Sequence, residues 1–199
     1  MRESNYLNMK DLSAFLGSHR LMEASIQKTL YGWYLDAELY GQELWALGEE
    51  AGEEEQEARQ TEDPAALLKL MRRRMRNRSV LLLRDKVLEK EAEMLPLIES
   101  RILRSGNSVF SENALDFFMR AKENASSWIV GHYDEVRNEY TRSLLCLFLG
   151  FRGTQGLLSD LCLEAERMAR LYPGESYDQG PALAVREMIL RFYRPDGEK

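Results

Sequence analysis

The chain has 199 residues, of which 44% are hydrophobic and 30% charged, and carries a formal net charge of −6. This balance is that of a globular chain able to bury a sizeable core, and the negative charge argues against a whole-surface preference for nucleic acid or an anionic membrane. Two cysteines, Cys146 and Cys162, and two histidines, His19 and His132, make no recognisable zinc pattern.

Both cysteines fall in apolar runs of helical spacing, so buried free thiols in a reducing compartment are expected rather than a disulfide. The opening MRESNYLNMKDL lacks the apolar core of a secretory leader, and no run approaches the roughly eighteen apolar residues of a membrane span. The expectation is a soluble, cytoplasmic protein with no membrane partner.

Leu, Glu, Arg, Met and Ala dominate nearly every segment and β-branched runs are short, so the reading is all-α. Met22, Ile26, Leu30, Trp33, Ala37, Tyr40, Leu44 and Leu47 recur at steps of four and three, predicting a helix from about Arg20 to Leu47. The rhythm also fits a coiled-coil seam, but Trp, Ala and Tyr at seam positions suit packing on a varied core better. Residues 1–48 therefore read as an N-terminal helical segment packing on the main domain. From Gly48 to Asp63 come eight acidic residues, one Arg and no apolar periodicity. Residues 49–63 read as a solvated, mobile linker.

Asp63 before Pro64 has the form of an N-cap followed by proline at the first helical position, launching AALLKLMRRRMRNR as a basic helix. Ser79 continues or restarts it through VLLLRDKVLEKEAEM. Pro96 is expected in the first turn of the next helix, which carries Leu97, Ile98, Ile102 and Leu103 and ends at Ser105-Gly106-Asn107. Ser111 with Glu112 opens another, with Ala114, Leu115, Phe118 and Met119 inward. Asp134 or a neighbour starts a helix with Val136, Tyr140, Leu144, Leu147 and Phe148 on one face, stopped by Gly150. Leu157 to Leu171 follows, with Leu158, Leu161, Cys162, Ala165 and Met168 inward. YPGESYDQGP then breaks the chain before a last helix, Ala182 to Tyr193.

Antiparallel helix pairs joined by short turns are the sequence form of a helical solenoid. At Asp134-Glu135-Val136-Arg137, Leu144-Leu145 and Leu149-Gly150 the chain resembles the second helix of a HEAT repeat. MLPLIESRIL, Met94 to Leu103, is similar to a HEAT first helix with its Leu-Pro-Leu opening. The resemblance covers about Met94 to Tyr193 within a helical-repeat-like region, 64–199. It implies a HEAT-like superhelix whose concave face binds a protein partner or nucleic acid; an irregular helical bundle is the other all-α arrangement these residues allow.

From Lys69 to Lys90 there are nine Lys or Arg against two acids, concentrated in Arg72, Arg73, Arg74, Arg76 and Arg78. Such a run can contact phosphates or bind carboxylates bidentately, and the acidic stretch just before it has the charge to pair with it instead. Tyr172 and Tyr177, with Glu175 and Asp178, make the longest connection a second candidate partner-binding site, against the reading that both rings simply cover helix ends. GFRGTQG, Gly150 to Gly156, lacks the Lys-Ser/Thr of a phosphate loop and reads as a helix-to-helix turn, with Arg152 free to hold a stray anion. Glu135 and Glu139 share a helical face but have no histidine at metal-ligand spacing, and His132 beside Trp128 and Tyr133 reads as a packed or surface residue. No catalytic residue or cofactor is expected. The expected function is a non-catalytic protein-interaction or scaffold module using a helical groove, with nucleic-acid binding through Arg72–Arg78 and an inter-helix small-molecule pocket as alternatives.

Overall fold

The structure, a computed structural model, describes residues 52–75 and 77–192, among which there are nine α-helices and no strand. The predicted Met22–Leu47 stripe lies outside these residues. The helices are α1 (Glu53–Gln60), α2 (Pro64–Leu70), α3 (Asn77–Glu89), α4 (Glu91–Ile102), α5 (Ser108–Arg120), α6 (Ser126–His132), α7 (Glu139–Arg152), α8 (Leu158–Leu171) and α9 (Gln179–Phe192). None is long and apolar enough to cross a membrane.

Helices pack on their next-but-one neighbours: α1 on α3, α3 on α5, α5 on α7, and α7 on α9, with α2 on α4 beside them. The helices from α2 onward turn apolar residues toward their neighbours while α1 contributes Ala58, and one continuous core runs from Ala58 and Leu67 through Phe110, Phe118 and Phe148 to Met188. Paired, stacked helices of this kind are compatible with a helical-repeat fold.

Local side-chain caps mark the starts of α2, α5 and α7. Asp63 caps α2 by accepting from the Ala66 amide (2.8 Å), with Pro64 at the first helical position as expected. Asn107 caps α5 through the Phe110 amide (2.7 Å), starting that helix earlier than the Ser111-Glu112 reading. Asn138 caps α7 through the Thr141 amide (3.0 Å). Asp134 and Glu135 instead belong to a 3-10 turn, and Val136 follows as extended chain, so the Val-Arg pair precedes the helix rather than opening it. The Leu158, Leu161, Cys162, Ala165 and Met168 face of α8 is buried as predicted, and Ala114, Leu115, Phe118 and Met119 are buried on α5.

Helix ends are where tertiary contacts take over. The expected basic helix breaks after Leu70, leaving Arg72, Arg73 and Arg74 on a turn. The carbonyls of Met71 and Arg72 accept from the side-chain amides of Asn113 (2.8 Å) and Asn107 (3.2 Å), which satisfies the end of α2 from α5 and its cap. Continuing the helix would also stack Arg72 on Arg76 and Arg74 on Arg78, like charges four apart. The same device recurs: Arg152 donates to Met119 O (3.4 Å) and Ala121 O (3.2 Å) at the end of α5, and Arg191 donates to Gly150 O (2.5 Å) and Gly153 O (3.1 Å) at the end of α7. Arg152 is thereby engaged, not free for an anion. Cationic side chains on C-terminal carbonyls complement the negative end of the helix dipole.

Gly150 does not stop α7. A Cβ there would lie 2.4 Å from the Ala184 Cα, so the glycine lets α9 approach the α7 backbone directly. Gly180 does the same from the other side, where a Cβ would meet Ser143 O at 2.1 Å, and its amide donates to Ser143 Oγ (3.2 Å). Ser111 and Thr141 share a buried hydroxyl bond (2.7 Å) that ties α5 to α7 in a similar way. Pro96 lies inside α4 rather than in its first turn, on an exposed position where its ring faces outward.

The acidic stretch 49–63, read as a mobile linker, contains α1. Three glutamates in its first turn complement the helix dipole, Glu55 and Arg59 pair four apart (2.8 Å), and Glu and Gln are strong helix formers. Propensity made this helix without any hydrophobic period, which is why periodicity missed it.

Candidate functional site

The two predicted site regions lie in different parts of the stack. Arg72, Arg73 and Arg74 are exposed on the α2–α3 turn. Arg76 lies outside the described residues, and of Arg78 only its backbone place in the first turn of α3 is described. Arg73 turns back to α1, its Nη1 donating to both carboxylate oxygens of Glu57 (2.8 and 2.7 Å). Beyond α1, Glu62 pairs with Lys86 and with Lys90 (3.3 Å), and Lys86 also donates to the carbonyls of Arg59 and Thr61 (3.1 Å) at the end of α1. The Lys86 hydrogen bond, supported by Lys90, holds the Glu62 carboxyl below its ordinary pKa.

Tyr172 and Tyr177, each half-buried, meet edge-on with ring centroids 5.5 Å apart in the loop between α8 and α9, whose residues 173–176 are exposed. Gly174 turns that loop at φ +97°, a conformation that favours glycine. The Tyr172 hydroxyl donates to Glu139 (3.0 Å), the first residue of α7. Glu139 leads into a polar cluster that sequence reasoning did not anticipate. Arg167 of α8 bridges Glu139 (2.7 Å) and Glu164 (2.6 and 2.8 Å), and Tyr133 donates to Glu164 (2.7 Å) while touching the Cys146 thiol (3.1 Å). Arg142 lies over the Tyr133 ring, 4.8 Å from its centroid. The i,i+3 pair Glu164 and Arg167 was visible in the sequence, but not that the 3-10 turn and α7 bring Tyr133 and Glu139 to it.

The electrostatics of this cluster keep its groups in fixed protonation states. Burial raises the Tyr133 hydroxyl well above its ordinary value, reinforced by Cys146 and Glu164, so it acts as a donor. Burial likewise pushes the Cys146 thiol up to about 12, against the opposing Tyr133 bond, and pushes Cys162 up to about 12. Neither is a thiolate nucleophile near neutral pH. Burial also raises Glu164, but the Arg167 and Tyr133 hydrogen bonds outweigh it and leave the carboxylate charged below its usual range. These are the properties of a structural tie between α7, α8 and the turn before them.

His132 stacks on Trp128 at 4.6 Å, and its Nδ1 bonds the Trp128 carbonyl (2.9 Å), placing it as a packed residue on α6. Among the described residues no group of three or more His, Cys, Asp or Glu is arranged to hold a metal ion. The fold and these surfaces define an all-α chain of stacked helix pairs with an exposed basic turn. Comparison with protein-family models, with curated proteins and with solved structures finds no match to this chain.

Proposed function

We propose that this protein is a non-catalytic interaction or scaffold module, with HEAT-like helix pairs forming a groove for a protein partner. The observation that carries the reading is the exposed run Arg72-Arg73-Arg74 on a turn whose backbone is pinned by Asn107 and Asn113. Side chains held out by a fixed turn on a packed scaffold are the usual means of partner recognition. The tyrosine loop, Tyr172 to Asp178, offers a second contact through Tyr177. The internal engagement of Tyr133, Cys146, Glu164 and Arg167 assigns the most reactive-looking groups to holding the helices together.

The test is a tagged pull-down from native lysate at low salt, scoring co-purified protein and nucleic acid. A stoichiometric protein that is lost from the R72Q/R74Q variant supports the reading; reproducible turnover that vanishes on removing one polar residue would overturn it. The same exposed arginines favour nucleic acid as a second reading. That reading requires recovered nucleic acid whose binding weakens steeply as salt rises.

A further inference from the structure

α1 is held more by charge than by apolar burial among the described residues. Of its eight residues only Glu55 and Ala58 are buried, and Ala58 is its contribution to the described apolar core. By contrast α7 buries nine of fourteen. Beside its packing on α3, α1 and the three residues after it are tied to the α2–α3 unit by ionic and end-on contacts: Glu57 to Arg73, Glu62 to Lys86 and Lys90, and Lys86 to the last carbonyls. Few buried apolar contacts and partly exposed ion pairs mark the low-stability end of a structure. Arg73 and Glu57 remain 49% and 44% exposed, so water and salt reach the pair.

We propose that α1 is a detachable acidic strap, and that the basic surface it pairs with, Arg73, Lys86 and Lys90 flanked by the exposed Arg72 and Arg74, receives an acidic protein segment whose carboxylates replace Glu57 and Glu62. This rests on the reading of the protein as a binding module and names its partner class. Charge complementarity selects the occupant. The geometry already displayed is a guanidinium gripping both oxygens of one carboxylate, and the ligand in place is itself an acidic helix. A long polyphosphate backbone would have to run beside the other acids of a chain of net charge −6, whereas a short acidic segment needs only the space that α1 leaves. In the resting protein the strap competes with the partner, so binding at this surface is weakened by the fraction of time the strap is down.

Two measurements on the full chain separate the strap from its partner. Hydrogen exchange of the 53–60 amides is expected to be faster than that of α7 and to accelerate between about 50 mM and 1 M salt, as screening loosens the ion pairs. Exchange as slow as that of α7 and indifferent to salt overturns the strap, whatever the protein binds. Fluorescence anisotropy with labelled deca-glutamate then reads the surface. The E57Q/E62Q variant is expected to bind about fivefold more tightly than wild type, and adding R72Q/R74Q should abolish the gain. The E93Q/E166Q variant carries the same charge change on exposed residues elsewhere and is expected to bind as wild type. Equal binding by wild type and E57Q/E62Q, an equal gain from E93Q/E166Q, or tighter binding of an oligothymidylate than of deca-glutamate overturns the acidic-segment assignment. A lysate partner unaffected by all these substitutions leaves the binding-module reading in place and removes this one.

Discussion

Two residues without a side chain let α7 and α9 come close together. Gly150 and Gly180 bring α7 and α9 into backbone contact, so Gly150→Ala forces a methyl to within 2.4 Å of the Ala184 Cα. The expected cost is about 1–3 kcal/mol, read as a lower urea midpoint with unchanged slope. Because the obstacle is the Ala184 backbone, adding Ala184→Gly should not restore stability; full rescue would show that the methyl, not the backbone, sets the spacing. At Glu164 the prediction concerns pH. Its folded pKa is depressed below 4.5, so the stabilisation is present above the unfolded value and is lost as pH falls through the folded one. Glu164→Gln should therefore lose about 1–3 kcal/mol at pH 7, with the gap to wild type closing below about pH 4. A gap that persists undiminished at pH 3 would remove the ion pair as its cause.

Three helices, α2, α5 and α7, begin on sequence signals, and four, α1, α2, α5 and α7, end on partners. Asp63, Asn107 and Asn138 each accept from an amide of the first turn, and the residues types are those that an isolated helix would choose. Asn138→Ala should destabilise by about 1 kcal/mol, while Asn138→Asp, which keeps an acceptor oxygen, should cost much less in the same chemical denaturation series. The C-terminal ends of α1, α2, α5 and α7 are closed by Lys86, by Asn107 and Asn113, by Arg152 and by Arg191. None of these pairings is local, which explains why the helix starts at Asp63-Pro64 and before Leu158 were legible while the stop after Leu70 and the passage of α7 through Gly150 were not.

At the scale of the whole molecule, one core threads the stacked helices, and both thiols lie inside it. Native protein at pH 8 should leave Cys146 and Cys162 unmodified by a thiol-reactive dye, and both should react once denaturant unfolds the chain, because burial both hides them and raises them to about 12. Labelling of either thiol without denaturant would show that α7 or α8 opens locally. The candidate site was legible only in part. The run of arginines and its acidic counterpart are plain in the chain, but the turn that presents Arg72 to Arg74 depends on Asn107 and Asn113, whose bonds to it span 35 and 42 residues.

Composition, helix propensity and apolar spacing by themselves determined that this chain is all-α, that α8 buries the Leu158 to Met168 face, and that its two cysteines are apolar and free. These are short-range properties, set by which residues recur every three or four positions. Tertiary structure alone decided that α1, helical by its own propensity, lies against α3, that glycine marks a contact rather than an end in α7, and that Tyr133, Glu139, Glu164 and Arg167 meet. The reason is common to all three: each depends on a charge, a carbonyl or a surface supplied by another helix, and no local pattern encodes where that helix will lie.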